Sequence, residues 1–233
     1  MKRFGLLAML ASTVWGQTEA TPRIAIKKEI LALAQSYAGQ GDPDRSKQRS
    51  LDTLIEKLLQ ASPQPAVKSR LNLIQGAWKQ VWGAYDYRGN KRGVDPTLGT
   101  GEIYQVVFEQ GYYYNISPSY KNGNRATERI RLLRGHFELD PKNENLLRVR
   151  FTNLFGLQSR PAGKLLPELA ASAESNALPG RKTVIPSFVV KLLSGGGALR
   201  EVYTDEDMRI TYGSDGKNLA NDYLYVMTRV QKN

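Results

Sequence analysis

Between residues 71 and 230 the chain is written as short runs rich in Val, Ile, Phe and Tyr, each interrupted by Gly, Asn, Asp or Pro. No other feature constrains the fold as strongly, because runs this short must bury their apolar side by pairing with one another. The spacing predicts strands over 77–87, 102–109, 112–116, 127–133, 136–139, 146–153, 184–193, 199–204, 209–212 and 223–230. In "LLRVRF", Leu147, Val149 and Phe151 face one way while Arg148 and Arg150 face the other. "KNGN" at 121–124 and "SDGK" at 214–217 read as hairpin turns, since Asn-Gly and Asp-Gly accept the positive φ that tight turns need. Many short strands with regular turn signals predict an antiparallel barrel or a sandwich. The segment 160–182 reads as a long loop with at most a helical turn.

Two helices are expected before the strands. Thr21–Pro22 supplies a capping hydroxyl and then Pro at the first helical position, and Ile26, Ile30, Leu33 and Tyr37 recur at helical spacing. Gly39, Gly41 and Pro43 stop that helix, and Leu51, Ile55, Leu58 and Leu59 mark one face of a second, ended by "SPQP" at 62–65. Neither polar face is uniformly basic, so the apolar stripes are expected to pack on the strands rather than on a membrane. Residues 21–66 thus form a helical part before a β part at 71–230, the whole of 21–230 making one domain. The first residues have the pattern of a secretory signal peptide over 1–17: Lys2 and Arg3, a short apolar run, then small residues. That pattern predicts an exported protein.

The net charge of +11 favours an anionic partner such as nucleic acid, an anionic membrane surface or acidic ligands. The chain has no Cys, which excludes disulfides, thiol nucleophiles and Cys-based metal sites. Within the basic chain, Asp205, Glu206 and Asp207 stand in a row in "VYTDEDMRITYG". A calcium loop fails there, because Arg209 and Ile210 occupy the positions of a ligand and the required Gly. Three contiguous acids at a turn are expected to stay solvated, ordinary carboxylates, with Asp205 bonding local amides and Arg209 reaching Asp205 or Asp207. "SGGGALR" at 194–200 lacks the Lys-Ser/Thr ending of a phosphate loop, and His136, the single histidine, has no nucleophile elbow around it. No catalytic residue, metal site or cofactor is assigned. Arg129, Arg131, Arg148 and Arg150 lie on consecutive strands and read as a membrane-facing basic surface. Arginines beside Tyr112, Tyr113, Tyr114 and Tyr120 also suit single-stranded nucleic acid, but no recognition motif accompanies them, and nucleic acid is not an expected partner.

"LIQGAWKQVWGAYDY" at 73–87, "GEIYQVVFEQGYYYNIS" at 101–117 and the stretch from Leu199 to Val230 resemble three motifs of the plastid lipid-associated protein (PAP)/fibrillin family. "LIQGAWKQVWGAYDY" at 73–87 is similar to its first-strand Gly-x-Trp motif, and "GEIYQVVFEQGYYYNIS" at 101–117 to its Gly-x-Ile-x-Gln strand followed by Asn-Ile. "LREVYTDEDMRITYGSDGKNLANDYLYVMTRV" at 199–230 is similar to its C-terminal motif. The chain departs from the pattern at Thr204, at Tyr212 and in the longer hairpin 214–222. The resemblance implies a mainly β fold: a lipocalin-like antiparallel β-barrel preceded by two N-terminal α-helices. It implies Tyr85, Gln105, Asn115, Asp205 and Arg209 as ligand contacts, with Trp78 closing one barrel end beneath Arg229. Asp205 keeps two readings, a structural turn residue and a ligand contact.

The function these readings imply is non-enzymatic binding of an apolar lipid or isoprenoid (fatty acyl lipid, quinone or carotenoid). They add peripheral association with photosynthetic membranes or lipid globules, in the periplasm or thylakoid lumen, through an anionic membrane surface. The alternatives are a coat on lipid surfaces with a filled barrel, a lipid-modifying enzyme using Asp205 or His136, and a nucleic-acid binder.

Overall fold

The structure, a computed structural model, describes residues 20–38, 40–42, 44–83, 103–121, 124–157, 166–174, 182–185, 197–214 and 222–230. The leader at 1–17, Tyr85, most of the strand expected at 184–193 and the turn residues 215–217 lie outside them.

Helix α1 (Ala20–Ser36) and helix α2 (Ser46–Ala61) come first. The Asp42 carboxylate accepts the backbone N–H groups of Lys47 and Gln48, satisfying donors that a helix start leaves unpaired. A 3₁₀ turn (Val67–Arg70) and a four-residue helix, α3 (Leu71–Ile74), lead into the strands; neither was expected from the sequence. Nine strands follow: β1 (Gly76–Gly83), β2 (Tyr104–Val107), β3 (Tyr112–Lys121), β4 (Asn124–Asp140), β5 (Asn143–Leu157), β6 (Lys182–Ile185), β7 (Gly197–Thr204), β8 (Met208–Ser214) and β9 (Tyr223–Arg229). The runs expected at 127–133 and 136–139 are one strand, because β3 pairs continuously from Ser119↔Arg129 to Tyr112↔His136. The segment expected to be a loop at 160–182 contains helix α4 (Leu166–Glu174), whose Leu169, Ala170 and Ala173 are buried on the sheet.

All pairings are antiparallel. The order β4-β3-β2-β1-β9-β8-β7-β5 returns on itself through β5 pairing β4, so eight strands ring round, and β6 joins β5 at its far end. Alternation along each strand then divides side chains between an inner and an outer wall. The inner wall collects Trp78, Val107, Tyr113, Leu147, Val149 and Met227 in one apolar cluster, with Val67 and Ile74 beneath them. The outer wall is covered twice. Ile30, Ala34, Leu51, Ile55 and Leu58 of the two long helices pack on Trp82, Met208, Ile210, Leu224 and Val226, while α4 covers Val106, Tyr114, Ile116, Ile130 and Leu132. That explains why β8, unlike β4 and β5, is buried on both faces.

Bulges decide the face. Trp78 and Trp82 are four apart and would share a face of a regular strand. The irregularity between Gln80 and Trp82 sends Trp78 inward and Trp82 outward, where Tyr37 meets it edge-on at 6.0 Å between ring centroids.

Candidate functional site

One end of the ring is plugged from the sequence upward. Trp78 is fully buried and donates its indole N–H to the Ile74 carbonyl at 2.7 Å. Arg229, its partner across β1 and β9, lies over the indole with the guanidinium carbon 4.1 Å from the ring centre. The same guanidinium donates to the backbone carbonyls of Leu73, Gln75 and Glu206. Burial lowers its pKa, partly offset by the nearby Asp205 carboxylate. Gly76 has φ +102°, and a Cβ there would stand 2.8 Å from an Arg229 nitrogen. The Gly-x-Trp spacing therefore has a physical reason: glycine makes room for the cation that covers the tryptophan.

Above this plug sits a buried polar rung. Arg209 is 1 % exposed and faces inward, since Met208 and Ile210 beside it face the helices. Both arms of its guanidinium engage the Glu201 carboxylate, Nε at 3.0 Å. Its third nitrogen donates to Gln105, whose amide donates to Asn115 at 3.0 Å. Arg70 braces the rung from below, donating to the Glu201 carbonyl and to the Thr204 hydroxyl at 3.0 Å. Burial lowers the Arg70 pKa, and Glu201 opposes that shift. Burial also pushes the neighbouring Tyr113 phenol well above its ordinary value, against the pull of Arg209. A cavity of about 10 Å³, room for roughly one water molecule, remains between the rung and the apolar floor; Gln105, Val107, Tyr113, Phe137, Leu147 and Arg209 are among the residues lining it.

The acidic turn is a separate site on the outside. Asp205 accepts the backbone N–H groups of Asp207 and Met208 at 3.1 and 2.9 Å. It also accepts the Tyr203 hydroxyl and the Lys27 ammonium, each at 2.6 Å, and Lys27 reaches Asp207 as well. Burial raises the Asp205 pKa, but Asp207, Lys27, Tyr203 and the Met208 amide outweigh it and hold the carboxyl well below the usual range. The expectation of three solvated, ordinary acids is thus corrected for Asp205. So is the expected partner of Arg209, because a guanidinium turned into the ring cannot meet Asp205 or Asp207 on the outside.

The expected ligand residues therefore separate. Gln105, Asn115 and Arg209 come together inside the ring, Asp205 stands apart beside α1, and Tyr85 lies outside the described residues. Glu201, Arg70 and Lys27 complete the two sites and were not singled out from the sequence. Glu201 carried a trace of a signal, as an acid two residues after Leu199, on the same side of the strand expected at 199–204. Arg70 and Lys27 carried none, since both sit in mixed polar stretches.

The four arginines read as one basic surface do not share a face. The β3–β4 register puts Arg129 and Arg131 on the inner wall with Asn115 and Ser117, toward the end opposite Trp78. Arg148 and Arg150 lie on the outer wall opposite Glu138 and His136. All four are exposed. The outer two have acidic partners, Arg148 with Asp140 at 2.6 Å and Arg150 with Glu138 at 3.7 Å. His136 is exposed on the outer wall, 2.9 Å from an Arg134 nitrogen. Among the described residues no group of three His, Asp or Glu could hold a metal ion, and no helix is long and apolar enough to cross a membrane.

Compared with known families, the chain matches the PAP_fibrillin model over residues 28–220. No curated protein and no solved structure matches it.

Proposed function

This chain belongs to the PAP_fibrillin family, and from that premise we propose that it binds an apolar lipid or isoprenoid without chemically altering it. The ring is read as a lipocalin-like barrel, closed at one end by Trp78 and Arg229 and entered from the other. A fatty acyl lipid, quinone or carotenoid is its ligand, above the rung of Gln105, Asn115 and Arg209. Peripheral association with photosynthetic membranes or lipid globules accompanies this binding, drawing on the exposed arginines and an anionic membrane surface. Its place is an exported compartment, the periplasm or the thylakoid lumen.

The observation that carries this reading is the exposure of Arg129 and Arg131 on the same wall that is buried and apolar at the Trp78 end. Both arginines stand beyond Ile116, the last residue of β3 paired to β2, at the end of the β3–β4 hairpin away from Trp78. Eight-stranded rings are wide enough to hold one small ligand. A second reading, a coat on lipid surfaces with a filled barrel, is favoured by the small cavity beneath the rung. Native mass spectrometry of the purified protein, before and after mild delipidation, separates the two. Retention of a stoichiometric apolar molecule supports the first reading. A bare protein that takes up no neutral lipid yet coats lipid droplets sinks it in favour of the second.

A further inference from the structure

Resting on that lipid-binding reading, we infer that the ligand is an uncharged molecule with a carbonyl oxygen, which enters polar end first and accepts a hydrogen bond from the Asn115 amide. The polar rung has a direction, and Arg209 sets it. A guanidinium only donates, so the Gln105 atom it meets must be the carbonyl oxygen. The Gln105 nitrogen then points the other way and donates to the Asn115 oxygen at 3.0 Å. That leaves the Asn115 nitrogen at the end of the relay, with two N–H groups and no acceptor among the described residues. Turning either amide round would set donor against donor. The open end of the rung is therefore a donor, and the partner it lacks is an acceptor.

Three observations make that partner a neutral ligand oxygen. First, the amide lies where the ring is paired on both sides. Gln105, Asn115, Leu133 and Leu154 follow one another in register across β2, β3, β4 and β5, and Arg209 reaches Gln105 from β8 over the interior. Second, the space below the rung is about 10 Å³, room for roughly one water molecule. The polar end of a ligand must stop at the rung, and its apolar part lies against Leu133 and Leu154, both half-buried. Third, Arg209 is already matched by Glu201, so what the rung offers is an uncharged amide. A carboxylate there would lose its water without gaining a counter-charge, whereas a ketone, quinone or ester carbonyl needs a single donor. A pure hydrocarbon would leave the amide unpaired, which is how a polar site rejects an analogue lacking its partner.

The test compares 2-methyl-1,4-naphthoquinone with 2-methylnaphthalene, the same skeleton with and without carbonyls, by equilibrium dialysis against the full chain in mildly alkaline buffer. The chain has no Cys for the quinone to alkylate. The quinone should bind at least tenfold more tightly, although partitioning out of water favours the hydrocarbon. Asn115→Asp keeps the oxygen that Gln105 needs and removes the donor, and Asn115→Leu removes both. Each should erase the preference by weakening the quinone alone, whereas Ser117→Ala, at the next inward position on β3, should preserve it. Circular dichroism checks that the variants fold, and the wild-type comparison stands by itself where one does not. Equal or weaker binding of the quinone by the wild type overturns the proposal and leaves the lipid-binding reading standing. A preference that survives in a folded Asn115 variant, or is lost in Ser117→Ala, also overturns it. Tighter binding of 2-naphthoate than of the quinone would assign the amide to a carboxylate and overturn the choice of an uncharged ligand. Binding of neither ring compound overturns the proposal, and the native mass spectrum then decides the reading beneath it separately.

Discussion

Arg209 and Arg131 sit on the same inner wall and have opposite surroundings. The first is almost wholly buried, with Glu201 on both arms and Gln105 on the third nitrogen. The second is exposed, with Ser117 and Gly156 as its cross-strand neighbours. A buried guanidinium has lost its water and must be matched group by group. An exposed one keeps its hydration and stays available to a ligand. Burial therefore separates the two: Arg209 is tied into the structure, and Arg131 stays hydrated.

The sharpest way to break this comparison is to unmatch the buried pair. Glu201→Gln leaves Arg209 desolvated without its counter-charge and should cost about 3–5 kcal/mol in urea denaturation. Replacing both partners, Glu201→Leu with Arg209→Met, should recover most of that loss. A cost below about 1 kcal/mol for Glu201→Gln would mean that water reaches the rung. Next in size is the packing under the rung. The Tyr113 ring crosses Gly135, and a Cβ there would come within 2.5 Å of it. Gly135→Ala should lower stability by about 1–3 kcal/mol, read as a lower melting temperature. An unchanged melting temperature would show that the ring can swing away.

Asp205→Asn tests the outer turn and should cost about 1–2 kcal/mol, because the amide still accepts backbone bonds but loses the charge facing Lys27. Its sign with pH is set by the lowered folded-state pKa. The carboxylate contributes its full stability above the ordinary unfolded value near 4, and the contribution is lost as pH falls from there through the folded value. The wild type should therefore weaken in acid more steeply than Asp205→Asn, and parallel acid limbs would refute the assignment. If the turn is structural, the variant keeps lipid binding; intact stability with lost binding would make Asp205 a ligand contact. The smallest effect belongs to Arg131→Gln, expected within about 0.5 kcal/mol of wild type, since an exposed side chain is being changed.

Much of the wall was readable before the fold. The alternation in "LLRVRF" marks an inward apolar set and an outward arginine set, and β5 keeps that division over Leu147, Val149 and Phe151. The site was only partly readable. Gln105, Asn115 and Arg209 do converge, but the brace Arg70 lies 131 and 134 residues from the Glu201 and Thr204 groups it bonds, and Glu201 meets Arg209 only once β7 pairs β8.

By itself the sequence determined the antiparallel character and the two opening helices, because strand alternation and helical spacing are local properties; the expected start of the first helix at a Thr21 cap is corrected, since α1 already begins at Ala20. The tertiary structure decided which face each charge takes. Bulges between Gln80 and Trp82, between Glu201 and Tyr203, and opposite Arg134 and Gly135 each reverse the inward–outward order of the residues beyond them. A bulge belongs to the pairing of two strands rather than to either strand alone. Only once the strands were paired did Arg209 meet Glu201 inside, Asp205 meet Lys27 outside, and the four arginines divide between the two walls.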